Sequence, residues 1–151
     1  VNIGLIQDGV PIAGAVNAPA TGETWFTQNG QAVKRVDGGA IRPVRARDWP
    51  KGAAVALVSH TMKPETVAAL AEKYGFDHPH PMDSSIKFCR IAEGEADVYP
   101  RHGPTMEWDI AAGHAVLVAA GGHVESEDGS PFVYGKADKG FRNGWFVARG
   151  A

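Results

Sequence analysis

Cysteine is almost absent from this chain of 151 residues, because Cys89 is the only one. A single cysteine excludes an intrachain disulfide and fits a reducing compartment, so we expect a cytoplasmic protein. No histidine stands at zinc-site spacing from Cys89, which excludes a structural zinc site of the Cys/His type. No apolar run approaches the ~20 residues of a membrane-spanning helix, and we predict no transmembrane segment.

A surplus of charge is also missing, since 15 Lys and Arg stand against 17 Asp and Glu for a net charge of −2. This balance argues against a surface that coats nucleic acid, and we expect no nucleic-acid partner. The only basic cluster, formed by Arg42, Arg45 and Arg47, is predicted to be a solvated loop. Glycine-rich phosphate loops, dinucleotide fingerprints and serine nucleophile elbows are absent as well. The sequence therefore excludes several common enzyme classes.

Residues 1–38 carry the pattern of an antiparallel sheet. Apolar runs at 3–6 and 12–16 flank Asp8-Gly9, and runs at 23–27 and 31–36 flank Asn29-Gly30. Asp-Gly and Asn-Gly are favoured tight-hairpin pairs, so a meander of four strands is predicted. The chain opens directly on strand-like residues and lacks a starting methionine, and we expect it to be a fragment of a longer polypeptide.

Residues 39–151 show strands that alternate with helices. The continuous apolar run 53–59 is typical of a strand buried on both faces, and further strands are predicted at 96–99, near 123 and at 144–148. Helices are predicted at 64–74, at 84–93 and from Trp108 to the glycines at 121 and 122, the last as an amphipathic helix. Such alternation implies an α/β layer. The predicted fold class is therefore α/β (α+β): part of an antiparallel sheet (1–38) followed by a layered C-terminal α/β domain (39–151).

Ser84 and Lys87 are the first residues of chemical interest. They are three apart in the opening turn of a predicted helix, where backbone N–H groups are unpaired and the helix dipole is positive. A hydroxyl, free amides and an ammonium on one face make a plausible phosphate site. The simpler alternative, a serine cap beside an exposed lysine, is favoured by this turn alone.

Arg101, Asp109 and His60 complete the set of candidates. Arg101 follows a short strand, at a position where α/β proteins place ligand groups, and a guanidinium suits bidentate phosphate binding. Asp109 suits Mg²⁺, although an aspartate at a helix start is usually a cap and one carboxylate cannot build a magnesium site alone. His60 ends the buried strand, where a ligand could reach it. Cys89 and His114 are predicted to be packing residues.

Five segments together carry a family resemblance that covers nearly the whole chain. They are Val1-Asn2-Ile3-Gly4-Leu5-Ile6, Gly14-Ala15-Val16-Asn17-Ala18-Pro19, Ser84-Ser85-Ile86-Lys87-Phe88-Cys89, Ala92-Glu93-Gly94-Glu95-Ala96-Asp97-Val98-Tyr99-Pro100-Arg101 and Trp108-Asp109-Ile110-Ala111-Ala112-Gly113-His114. With these segments the chain resembles the inositol monophosphatase superfamily of magnesium-dependent phosphatases, which share the sugar-phosphatase fold. The Ser-Ser-x-Lys-Phe-Cys and Tyr-Pro-Arg segments resemble its CysQ-type 3′(2′),5′-bisphosphate nucleotidase branch.

The resemblance implies a role for each candidate residue. Asp109 matches an aspartate that binds a catalytic Mg²⁺ beside the scissile phosphate. Ser84, Lys87 and Arg101 match residues that hold the nucleotide, largely through its other phosphate, and His60 matches a residue near the nucleoside. The implied reaction removes the 3′-phosphate of adenosine 3′,5′-bisphosphate to give AMP. The implied cofactor is two or more Mg²⁺ ions in the intact enzyme.

The family's first metal-binding glutamates and its Asp-Pro-x-Asp-Gly-Thr motif do not occur in this chain. We therefore expect no water-activating catalytic residue here, and weak or absent Mg²⁺ binding and activity for the 151 residues alone. Another phosphatase of the superfamily, acting on an inositol phosphate or fructose 1,6-bisphosphate, stays open. So does a non-catalytic module that binds a nucleotide or partner protein, or a fragment with no function of its own. A partial sheet exposes an edge and a face, so self-association is also expected.

Overall fold

Four layers follow one another in the computed structural model, which describes all 151 residues. They are an antiparallel sheet, a pair of helices, a mixed sheet and a third helix, with five strands in each sheet. No helix is long and apolar enough to cross a membrane. The architecture confirms the predicted mixed α/β class.

The first sheet is the predicted meander with one short strand added. Its strands, which pair in chain order, are β1 (Asn2–Gln7), β2 (Val10–Ala18), β3 (Glu23–Gln28), β4 (Gln31–Val36) and β5 (Arg42–Pro43). Both hairpin predictions are confirmed. The φ values are 51° for Asp8 and 77° for Gly9 in the first turn, and 51° for Asn29 and 76° for Gly30 in the second. Two consecutive residues with positive φ form the hairpin turn whose twist matches that of the flanking strands.

The second sheet is mixed and has the order β7-β6-β8-β10-β9. Its strands are β6 (Val55–Val58), β7 (His78–Pro81), β8 (Val98–Arg101), β9 (His123–Ser126) and β10 (Phe146–Arg149). β6 runs parallel to both neighbours, and β10 runs antiparallel to β8 and β9. Strand β7, with the sequence His-Pro-His-Pro, was not among the predicted strands. It is an edge strand, and an edge tolerates proline because one row of backbone groups needs no partner.

Three helices connect the strands: α1 (Pro64–Tyr74), α2 (Ile86–Ala92) and α3 (Glu107–Ala119). The bounds of α1 were predicted correctly, and Gly75 ends it in the left-handed conformation with φ 74°. The prediction that α3 is amphipathic was wrong. All residues of α3 are buried except Trp108, Asp109, Val118 and Ala119 near its two ends, because the helix lies between the two sheets and is apolar all round.

Small residues let α3 approach its neighbours closely. A Cβ placed on Gly14 of β2 would lie 2.4 Å from the carbonyl oxygen of Ala112, and one on Gly113 would lie 2.7 Å from the Phe88 ring. Neither contact is possible for a real side chain, so these glycines are required by packing. The close approach fixes α3, and with it the first turn that carries Asp109.

The hydrophobic core has two parts, one on each side of the mixed sheet. The larger contains Trp25 of β3, Phe88 of α2, Leu117 of α3 and Phe146 of β10. The smaller lies between the mixed sheet and α1, around Val98 and Leu70. The larger part contains residues from before and after position 38. The division of the chain into units 1–38 and 39–151 stays a prediction.

Two ionic groups join segments far apart in sequence. Arg47 binds Asp97, which is 1% exposed, through two hydrogen bonds of 2.7 and 2.6 Å. The Arg47 side chain itself is 41% exposed, so the predicted solvated loop is confirmed, and Arg47 in addition pairs with a buried carboxylate. A second group ties the antiparallel sheet to α2: Lys34 of β4 contacts Glu23 at 2.6 Å and Glu93 at 2.7 Å. Arg90 of α2 contacts Glu23 at 2.9 Å.

Candidate active site

A cleft of about 270 Å³ opens where the end of β8, the turn before α2 and the first turn of α3 meet. Four of the five predicted site residues line it: Ser84, Lys87, Arg101 and Asp109. They come from three separate segments of the chain, and tertiary packing alone places them at one site. His60 does not line this cleft.

Lys87 is the most unusual of these residues, because it is only 2% exposed. Its Nζ donates a hydrogen bond to the carbonyl oxygen of Met82 at 3.0 Å and lies 4.4 Å from the centroid of the Tyr99 ring. The pKa of Lys87 is lowered to about 8, mainly by burial and also by the positive charge of Arg101, while Asp83 opposes the shift. The alternative of an exposed lysine beside a serine cap is therefore wrong.

Arg101 ends β8 and has unused hydrogen-bonding capacity. Its Nη2 donates to the carbonyl oxygen of Pro104 at 3.0 Å, whereas its Nε is buried and has no hydrogen-bond partner. A buried donor without a partner costs about 1–3 kcal/mol. An anion in the cleft would supply the missing acceptor, so this guanidinium fits a phosphate ligand.

Ser84 lies in the turn before α2, which begins at Ile86, two residues later than predicted. The φ of Ser84 is 68°, in the left-handed region. Its exposed hydroxyl accepts a hydrogen bond from the Ile86 amide at 3.3 Å. Next to it, the Ser85 hydroxyl donates to Asn2 Oδ1 of β1 at 2.7 Å. The antiparallel sheet thus contributes directly to this side of the cleft.

Asp109 is a helix cap that also lines the cleft. Its Oδ2 accepts a hydrogen bond from the Met106 amide at 2.8 Å, so it caps the first turn of α3. Asp109 lines the cleft and its Oδ1 has no protein partner, so one carboxylate oxygen is free, as a hard cation would require. The chain contains no group of three or more Asp, Glu, His or Cys side chains that could hold a metal.

Asp83, Tyr99 and Thr105 also line the cleft, and none of the three was among the predicted site residues. Asp83 links the cleft to His60, whose exposed Nδ1 lies 3.0 Å from Asp83 Oδ2. The sequence signal for Asp83 was its position directly before Ser84, in a turn that had been considered as a phosphate site. Tyr99 begins the Tyr-Pro-Arg segment that carries the resemblance, but no sequence signal indicated its contact with the Lys87 side chain.

Two further predictions concern residues without a direct role. Cys89 is fully buried, and burial raises its pKa, so its thiol stays protonated and packs in the core. His114 of α3 is buried, with Nδ1 2.9 Å from the Tyr134 hydroxyl, and burial lowers its pKa to about 4. Both predictions are confirmed.

The fold, with a cleft lined by two cations and by the Asp109 carboxylate, is that of a phosphatase family. The profile of the inositol monophosphatase family matches residues 1–145, and this chain belongs to that family.

Two relatives show a more specific similarity within the family, and a third shares the fold. The chain is 39% identical over 134 residues to the 3′(2′),5′-bisphosphate nucleotidase CysQ of Salmonella typhimurium, covering 89% of this chain and 53% of that protein. The crystal structure of CysQ from Bacteroides thetaiotaomicron has a TM-score of 0.82 at 36% identity and covers 99% of this chain and 61% of that one. An inositol monophosphatase from Anabaena, with a TM-score of 0.76 at 22% identity, shares the fold. The chain spans about half the length of its Salmonella relative.

Proposed function

We propose that the protein containing this chain removes the 3′-phosphate of adenosine 3′,5′-bisphosphate to give AMP. The observation that carries the proposal is the pair of cations in the cleft, namely the buried ammonium of Lys87 and the Arg101 guanidinium with its unpartnered Nε. A substrate with two phosphates needs one group to be held while the other leaves. The two cations suit the phosphate that stays, and Asp109 would hold a Mg²⁺ ion beside the phosphate that leaves.

Burial of the cations is what would make them selective. In a partly dehydrated cleft a charge-assisted hydrogen bond is stronger than in water. Arg101 presents a planar donor fork and Lys87 a point charge with two donors beyond the one used by Met82. A substrate that lacks the second phosphate would leave Arg101 Nε and the two remaining Lys87 donors without an acceptor, and the site would reject it for that reason.

Asp109 would hold Mg²⁺ together with ligands from outside these 151 residues. Bound Mg²⁺ in this family lowers the pKa of a water molecule and offsets charge on the transferring phosphoryl group. Within this chain, the hydrogen bond from Met106 orients the Asp109 carboxylate before any ligand arrives. We assign the water-activating residue to no position here.

His60 and Asp83 are proposed to face the nucleoside. The two side chains join the end of β6 to the turn before α2, which places them beside the cation pair. Asp83 fixes the orientation of the imidazole through Nδ1, which leaves Nε2 free for a substrate. We also propose a cytoplasmic location, which a fluorescent fusion of the full-length protein would test.

A substrate panel on the full-length protein tests the proposed activity. The panel contains adenosine 3′,5′-bisphosphate, inositol 1-phosphate and fructose 1,6-bisphosphate, each assayed by phosphate release. We expect the nucleotide to have the highest kcat/KM, and Lys87→Ala to reduce that preference by weakening nucleotide binding. A higher kcat/KM for either sugar phosphate would assign the protein to another branch of the family.

A second function, metal-independent binding of a nucleotide without catalysis, is favoured by one observation: the cations are complete in this chain, whereas the metal ligands are not. Calorimetric titration of the full-length protein with AMP, with and without Mg²⁺, separates the two. The binding function requires affinity without Mg²⁺ together with no hydrolysis of the bisphosphate.

A further inference from the structure

Glu107, the first residue of α3, points away from the cleft and makes three hydrogen bonds to one loop. Its carboxylate accepts from the Gly135 amide at 3.0 Å, from the Lys136 amide at 2.9 Å and from Lys136 Nζ at 3.1 Å. Glu107 is 9% exposed. Both carboxylate oxygens are used, so Glu107 has no free oxygen to offer a ligand.

Further bonds join the same two segments on either side of Glu107. The Glu107 amide donates to the carbonyl oxygen of Phe141 at 3.0 Å. Asn143 donates its amide to the Thr105 carbonyl at 2.9 Å and its Nδ2 to the Thr105 hydroxyl at 3.0 Å. Met106 and Arg142 form an isolated antiparallel bridge. Residues 105–107 are thus held along their length by residues 135–143.

This arrangement fixes the turn that carries Asp109. Glu107 and Asp109 are two residues apart, which is about 200° around a helix, so they leave α3 on opposite sides. Asp109 faces the cleft and Glu107 faces the loop. The Asp109 carboxylate is exposed and bonded only to the Met106 amide, one residue from Glu107. The position of the Asp109 carboxylate therefore depends on the hydrogen bonds that join Glu107 to the loop.

We infer that Glu107 is a positioning residue for the active site: its hydrogen bonds to Gly135 and Lys136 set the first turn of α3 and so orient Asp109 toward its ligand. This inference rests on the proposed function for the meaning of Asp109. Glu107 touches neither substrate nor reacting atoms. Its effect is transmitted through one helical turn, in the way that outer-shell partners orient the ligands of a metal.

The test is Glu107→Gln in the full-length protein, with two readouts that do not depend on the fraction of active protein. Glutamine keeps the size and one acceptor oxygen but loses the charge and cannot accept all three bonds. We expect the Mg²⁺ concentration for half-maximal activity to rise by about tenfold, while the KM for the bisphosphate, governed by Lys87 and Arg101, stays within about twofold. Amide hydrogen exchange of residues 105–110 should become faster, which needs no activity.

Two more variants complete the design. Lys136→Met removes the Nζ bonds to Glu107, Val133 and Asn143 and leaves both backbone bonds to Glu107. It should therefore shift both readouts in the same direction by less, and it substitutes for Glu107→Gln if that variant does not fold. Glu65→Gln is the matched control, since Glu65 is an exposed glutamate in the first turn of α1. An unchanged Mg²⁺ requirement and unchanged amide exchange in both Glu107→Gln and Lys136→Met would overturn the inference. Wild-type protein without nucleotidase activity would instead remove the proposed function, and the exchange result would still stand.

Discussion

The Lys87 ammonium lies 4.4 Å from the centroid of the Tyr99 ring, so a residue of α2 and a residue of β8 together form one side of the cleft. The ring replaces part of the water that would otherwise surround the charge, and the Met82 carbonyl supplies one acceptor. Tyr99 is buried and burial raises its pKa to about 12, so it remains a neutral phenol under ordinary conditions. The result is a cation that is already dehydrated when a phosphate arrives.

The affinity of the full-length protein for AMP should fall as pH rises through about 8, because burial, aided by Arg101 and opposed by Asp83, lowers the pKa of Lys87 to that value. Below this pH Lys87 is cationic, and above it the side chain is neutral and no longer pairs with a phosphate. Loss of a charge-assisted bond corresponds to about a 10- to 100-fold weaker Kd. Calorimetry from pH 6.5 to 9.5 measures it.

Three variants test whether Lys87 is the group that titrates in that pH series. Lys87→Met should bind weakly at every pH, and Lys87→Arg should flatten the dependence because arginine stays charged. Lys51→Met, at an exposed lysine, should behave as wild type. A pH dependence that persists in Lys87→Met would show that another group titrates.

Asp109→Asn in the full-length enzyme should reduce turnover by tenfold or more, which corresponds to at least about 1.4 kcal/mol of transition-state stabilisation. Asparagine retains an oxygen that can accept from the Met106 amide, so the helix start is preserved and only the charge is lost. Steady-state kinetics at saturating substrate measure the effect. Asp138→Asn, at an exposed aspartate, is the control. Near-normal turnover in Asp109→Asn would mean that Asp109 is only a helix cap.

Glu23→Gln should lower the free energy of unfolding at pH 7 by about 3 kcal/mol. Burial raises the pKa of Glu23, but hydrogen bonds from Lys34 and Arg90 outweigh it and lower the pKa from 4.5 to about 2. A carboxyl with a lowered pKa stabilises the fold fully above its unfolded value and loses this contribution as pH falls through the folded one. The difference between wild type and Glu23→Gln should therefore shrink between pH 4.5 and 2.

Urea unfolding at several pH values measures that difference. Glu72→Gln, at an exposed position of α1, should change stability by less than about 0.5 kcal/mol. A wild-type advantage that is constant down to pH 2 would contradict the assigned role of the Glu23 pair.

The 151-residue chain by itself should self-associate through the antiparallel sheet. Strand β1 is an edge strand. Val1, directly before it, is 72% exposed, and Ile3 and Leu5 within it are 68% and 57% exposed. Exposed apolar edges pair with other chains. Sedimentation velocity should show a concentration-dependent dimer or larger species, reduced by Leu5→Lys. Val118→Lys, at an exposed valine of α3 away from β1, should leave association unchanged. A strictly monomeric wild-type chain at high concentration would contradict the prediction.

The local elements were largely predictable because their signals lie within a few neighbouring residues. The Asp8-Gly9 and Asn29-Gly30 turns fix two hairpins, and Pro64 with Gly75 fixes both ends of α1. Strand β7 was not predictable, since His78–Pro81 has neither alternation nor strand propensity and becomes a strand only by pairing with β6. The same holds for α3, whose buried surroundings come from two sheets that no local pattern reveals.

The sequence by itself determined which residues carry charge, hydroxyl and carboxylate groups, and the family to which they belong. Only the tertiary structure decided that Ser84, Lys87, Arg101 and Asp109 meet at one cleft. Only it showed that Lys87 is buried, that Arg101 Nε lacks a partner and that Glu107 faces a distant loop. The physical reason is that burial and hydrogen-bond partnership depend on neighbours tens of residues away. Propensities and turn signals act over only a few residues, so they cannot specify those neighbours.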